Sequence, residues 1–143
     1  MTSIATVQLV ISVFVPFTGV LLARRLAIAL GVAVACALAG VLLTAAVTAW
    51  PPASVVAGAV LVQAIAQLVG TGAGLLIRRP VLAMAATIVV PMTATVLLSA
   101  IGLRWLTPYG NAQALLAGTF TAKTLVVALL WGVVPNVIGA RRP

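Results

Sequence analysis

Long apolar runs fill this chain, and only short basic or proline-containing segments interrupt them. A helix needs about 20 apolar residues to cross the hydrocarbon core of a bilayer. Runs of about that length cover residues 7–23, 26–50, 55–77, 81–103 and 119–140. They are continuously apolar and do not alternate at period two, as barrel strands must. The sequence therefore predicts an all-α polytopic bundle of about five transmembrane helices, in a single domain covering residues 1–143.

The composition excludes a water-soluble domain. Hydrophobic residues make up 64% of the 143 residues and charged residues only 6%, whereas soluble domains carry about 25% charged residues. The chain has no Asp, Glu or His, so it offers no ordinary general base and no set of metal ligands. We expect a multi-pass protein of the cell membrane that is not an enzyme and binds no cofactor or metal.

Basic residues give the orientation. Three arginine pairs follow the first, third and fifth runs and so fall on one side of the membrane: Arg24-Arg25, Arg78-Arg79 and Arg141-Arg142. The other side has Arg104 and Lys123, and Trp50, Trp105 and Tyr109 lie at these opposite ends. Basic residues in short loops favour the cytoplasm, and Trp and Tyr favour the interfaces. The sequence predicts an N-terminus outside and a C-terminus inside.

The net charge of +8 does not indicate nucleic-acid binding. The basic residues stand in isolated pairs at helix ends, without the basic face that such binding needs. Attraction to anionic lipid headgroups explains the pairs. The bilayer is therefore the expected partner, and nucleic acid is not.

Small and polar residues form a stripe in the third run, where Gln63, Gln67, Gly70 and Gly74 step by four, three and four. Gly70 and Gly74 form a GxxxG pair that allows another backbone to approach, and the glutamines can bond across a helix interface. The stripe is interpreted either as helix packing or as part of a polar pathway. Pro16, Pro91 and Pro135 lie inside runs and predict kinks, because each frees a backbone carbonyl.

The second half of the chain carries a series of motifs: Gly70–Leu76, Arg78-Arg79, Val89-Val90-Pro91, Leu106-Thr107-Pro108 with Asn111-Ala112, Leu130–Pro135, and Gly139-Ala140-Arg141-Arg142. This order resembles the C-terminal half of actinobacterial permeases of type-2 ATP-binding-cassette (ABC) exporters. The resemblance covers roughly the last 80 residues. It extends to the earlier helices by topology alone.

The resemblance implies a six-helix permease with both ends in the cytoplasm and a re-entrant outer segment before the last helix. Residues 106–118 occupy the position of that segment, and this chain would lack the first helix of the six. The family also implies a cytoplasmic ATPase and a second permease copy as partners. Such an ATPase must engage the short cytoplasmic connections of this chain, which makes Arg24, Arg25, Arg78 and Arg79 the candidate contacts. The long cytoplasmic loop that couples such permeases to their ATPase is missing, since only Arg24-Arg25 separates the first two runs.

Three functions remain open on the sequence. The first is a permease-like subunit of an ABC exporter that moves its substrate with a separate ATPase. The second is a non-transporting membrane assembly partner, scaffold or pore-forming protein. A small ion-coupled exporter ranks third, because such proteins commonly carry protons on a membrane carboxylate and this chain has none.

Overall fold

The computed structural model describes residues 3–141, except for the side chains of Ser3, Ala5, Tyr109 and Gln113. Arg142 of the third arginine pair and the Tyr109 side chain therefore lie outside the described part. Within it the fold is all-α, without strands. The helices are α1 (Ser3–Leu21), α2 (Leu26–Ala45), α3 (Ala53–Leu76), α4 (Pro80–Ala100), the short α5 (Pro108–Leu116) and α6 (Ala122–Ala140).

Four helices of the described chain, α2, α3, α4 and α6, are long and apolar enough to cross a membrane. The apolar part of α1 is shorter and covers Thr6–Leu21. The architecture is thus a polytopic helix bundle, compatible with a multi-pass membrane protein. By length and composition, four helices qualify as membrane spans, whereas the apolar runs predict five; the first run corresponds to the shorter α1.

Several helices end earlier than the apolar runs suggest, and a local signal explains the end of α4. The α4 helix stops at Ala100 because Gly102 has a positive φ of 77°. The amide of Leu103 bonds back to the carbonyl of Leu98 at 2.8 Å, which is the Schellman pattern of a glycine-terminated helix. The α2 helix ends at Ala45, six residues before Pro51, and the amides of Val47 and Thr48 bond to the carbonyl of Thr44 in the turn that follows.

The α5 helix begins with a regular cap and ends at a glycine. The Thr107 hydroxyl accepts the Gly110 amide at 3.1 Å, and Pro108 occupies the first helical position, where no backbone donor is needed. Gly118 closes the helix with a positive φ of 80°. Before α5, the carbonyl of Leu106 accepts the indole N–H of Trp131 at 2.6 Å. Because Trp131 is in the middle of α6, the segment before α5 reaches about halfway along that helix.

The α6 helix changes its winding in the middle. It is α-helical over Ala122–Val127, π-helical over Ala128–Val133 and α-helical again over Val134–Ala140. Pro135 has no backbone N–H, so the carbonyl of Trp131 lacks its usual donor four residues later. The π-helical stretch therefore ends two residues before Pro135, the proline at which the sequence predicts a kink. Short π-helical segments of this kind occur within α-helices.

The α3 helix is the centre of the bundle, since it packs against α1, α2, α4, α5 and α6. The exposed surface is largely apolar, unlike that of a soluble protein. On α4, the inward row Ala83, Thr87 and Pro91 is small or polar, while Val81 and Val96 are 77% and 71% exposed. An apolar exterior around such an interior matches helices that face lipid.

Candidate functional site

A row of polar side chains runs along the buried face of α3. Gln63, Gln67 and Thr71 are spaced by four residues and are fully buried. Residues four apart share one helix face, so the three side chains point into the bundle together. Since α3 is the central helix, they are well placed to join its neighbours.

Gln63 forms the most buried of these connections. Its side-chain N–H groups donate to the backbone carbonyl and the side-chain oxygen of Gln8 in α1, at 2.9 and 2.8 Å. Gln8, itself fully buried, donates onward to the carbonyl of Ala37 in α2 at 2.9 Å. Two glutamines thereby link three helices through their amides.

The other two members of the row bond to different helices. Thr18 of α1 donates to the side-chain oxygen of Gln67 at 3.1 Å. Thr71 donates to the side-chain oxygen of Asn136 in α6 at 2.7 Å. Asn136 in turn donates to the carbonyls of Leu68 and Gly132, at 2.8 and 2.7 Å. The row therefore connects helices, and its polar atoms are largely used in doing so.

Two atoms of the row have no partner in the described chain. They are Oε1 of Gln63, an acceptor, and Nε2 of Gln67, a donor. The two side chains lie one helical turn apart on the same face. One of these atoms accepts hydrogen bonds and the other donates them.

The glycines predicted to allow close packing do so between α1 and α3. A Cβ atom at Gly70 would collide with the backbone of Pro16, and one at Gly74 would lie 2.7 Å from the carbonyl oxygen of Val20. Gly19 of α1 faces back, with a Cβ there only 2.7 Å from the carbonyl oxygen of Gln67. The two backbones thus touch, and side chains at these positions would separate them.

Of the three prolines inside apolar runs, two line the same cavity and the third lies elsewhere. Pro16 of α1 and Pro91 of α4 line the same central cavity of about 40 Å³. Pro135 of α6 lies instead against Gly72 of α3, where a Cβ would be 2.7 Å from the proline ring. The cavity also borders Asn111 of α5, which brings residues from separate parts of the sequence to one place.

The arginines of two helix connections meet at one end of the bundle. Arg24, Arg25 and Arg78 line a cleft of about 1270 Å³, with Gly74 and Ala140 among the residues between them. The cleft thus collects the α1–α2 connection and the ends of α3 and α6. Arg79 does not line it and stands at the N-cap of α4.

At the opposite end, Lys123 and Trp105 pair. The ammonium nitrogen of Lys123 lies 5.3 Å from the centre of the Trp105 ring, within the range of a cation–π contact. A lysine beside an aromatic ring at a helix end is typical of a membrane interface, because both side chains favour the headgroup region.

Sequence reasoning missed Gln8 and the convergence of Ser12, Thr87 and Asn111 on the central cavity. A single glutamine inside an apolar run was the available signal for Gln8. The cavity had no such signal, because it depends on how α1, α4 and α5 are arranged around α3.

Comparisons of the chain with protein-family models, with curated proteins and with solved structures find no match.

Proposed function

We propose that this chain is a permease-like subunit of an ABC exporter in the cell membrane, driven by a separate cytoplasmic ATPase. The observation that carries the proposal is the arginine-lined cleft at one end of the bundle. It supplements the motif resemblance, which by itself gives no contact surface.

The charge of the cleft favours an acidic partner. Arg24, Arg25 and Arg78 are exposed, and the chain contains no Asp or Glu with which they could pair. Complementary charge steers association and selects partners. An acidic surface of the ATPase seated in the cleft would compensate for the missing coupling loop.

The position of the cleft gives such a partner a route into the bundle. Its walls include Val20 at the end of α1, Leu75 in α3 and Gly139 in α6. A partner that moves these ends also moves α3, and α3 touches every other helix. In this proposal the Arg pairs fix the cytoplasmic side and receive the ATPase. A second permease copy completes the transporter.

The test is copurification from native membranes in mild detergent, followed by ATPase measurement after reconstitution in liposomes. We expect an ABC ATPase to copurify, and Arg24→Ala with Arg78→Ala to reduce its recovery. Arg79→Ala is the control for Arg78→Ala, because it removes one positive charge from the same connection but outside the cleft. If no ATPase copurifies, or if the variant with Arg24→Ala and Arg78→Ala recovers as much ATPase as wild type, the chain is better described as a passive membrane partner.

A further inference from the structure

The central cavity lies where four helices meet the middle of α3. Its volume is about 40 Å³, and most of the side chains around it are buried. Val62 and Ile65 form an apolar wall on α3. The polar part of the lining comes from three other helices: Ser12 in α1, Thr87 in α4 and Asn111 in α5.

Asn111 supplies a hydrogen-bond donor without a partner. The residue is only 6% exposed, it lines the cavity, and its Nδ2 has no hydrogen-bond partner. A buried amide N–H is costly without an acceptor, and more so among helices that face lipid. The lining thus offers a donor that an occupant of the cavity can satisfy.

Two prolines supply acceptors on the same lining. Pro16 has no N–H to donate to the carbonyl of Ser12, and Pro91 has none for the carbonyl of Thr87. All four residues line the cavity. The Ser12 and Thr87 hydroxyls already donate to Leu9 and Met84 at 2.8 and 2.6 Å, and their oxygens can only accept further bonds.

This pattern selects the chemistry of the occupant. The occupant must accept a hydrogen bond from Asn111 and donate hydrogen bonds to the oxygens of Ser12 and Thr87. A metal cation cannot accept, and a halide cannot donate. No charged side chain lines the cavity. Water satisfies both requirements.

We propose that the cavity is a hydration site that holds ordered water in the middle of the helix bundle. One buried water needs about 10–15 Å³ of such volume and two to four polar partners, so the cavity of about 40 Å³ accommodates about two or three molecules. These waters bridge α5 to α1 and α4, whose prolines Pro16 and Pro91 also line the cavity. The inference does not depend on the transporter proposal.

Water-edited solid-state NMR of the isotopically labelled full chain in lipid bilayers tests this site. Magnetisation is transferred from water protons to nearby protein groups, and its arrival at the side-chain amide of Asn111 is followed. We expect early transfer to Asn111 and none to the side-chain amide of Gln63, which is also buried and does not line the cavity.

Asn111→Leu provides the second measurement, because leucine is of similar size and removes the donor. We expect it to abolish the transfer from water to the backbone amides of Ser12 and Thr87 that wild type shows. Absence of transfer to Asn111 in wild type would overturn the proposal. Equal transfer to Gln63 would overturn it too, since it would indicate general penetration of water. The wild-type comparison stands alone if the variant does not fold.

Discussion

The side-chain amide of Gln63 donates to both the backbone carbonyl and the side-chain oxygen of Gln8, 55 residues earlier in the chain. Both residues are fully buried among apolar helices. Such a bond satisfies polar groups that have no solvent to bond with. It also fixes the rotation of α3 relative to α1.

Truncating either glutamine leaves the other without its partner. We expect Gln8→Leu and Gln63→Leu each to lower the free energy of unfolding by about 1–2 kcal/mol, the range measured for model interhelical bonds in membranes. The double variant should lose less unfolding free energy than the sum of the two single losses, because two leucines leave fewer buried polar atoms unsatisfied. Unfolding in bicelles measures this, with Thr93→Val on the exposed face of α4 as the control. Strict additivity would contradict the pairing.

The α1–α3 contact depends on glycine. Gly70→Ala and Gly74→Ala should each destabilise the bundle by about 1–3 kcal/mol, because the new methyl group meets the backbone of α1. Gly31→Ala is the matched control, since a Cβ there meets nothing within 4 Å. Thermal unfolding in detergent gives the comparison. Equal stability of Gly70→Ala and Gly31→Ala would show that the helices do not touch there.

The arginine pairs predict the topology. Reporter fusions after Pro52 and at residue 143 should give an outside and a cytoplasmic signal respectively, because short basic loops are retained in the cytoplasm. A third fusion after Arg79 should be cytoplasmic as well. A periplasmic signal from the C-terminal fusion would reverse the orientation and remove the cytoplasmic cleft on which the transporter proposal depends.

Trp131 holds the segment before α5. Trp131→Phe keeps an aromatic ring and removes the N–H that bonds to Leu106. We expect a loss of about 1 kcal/mol in stability and faster deuterium uptake over residues 101–107, measured by mass spectrometry. Trp50→Phe is the control, since that side chain is 63% exposed. Uptake unchanged relative to this control would mean that other contacts hold the segment.

The helical class of the fold could be predicted because it depends on local composition. Apolar runs of spanning length permit few other structures, and Arg24-Arg25 and Arg78-Arg79 mark two helix connections directly. Helix ends were less certain, since the stop at Ala100 depends on the backbone conformation of Gly102. Hydropathy does not record that conformation.

The site was predicted only in part, for a different physical reason. Spacing places Gln63 and Gln67 on one face of a helix, but it does not identify the helix opposite. Gln8 and Thr18 fill that role, and both are distant in sequence. Likewise, Pro16 and Pro91 predict freed carbonyls, while their meeting at one cavity depends on tertiary packing.

The central position of α3 also bears on the order in which the bundle forms during synthesis. The chain leaves the ribosome from its N-terminus, so α3 emerges after α1 and α2, two of the helices that it packs against. These three helices can pack together through Gln8, Gln63 and the glycine contact before α4, α5 and α6 have all emerged. The later helices α4, α5 and α6 then dock onto a finished surface, which limits the wrong pairings open to a chain with so few polar side chains.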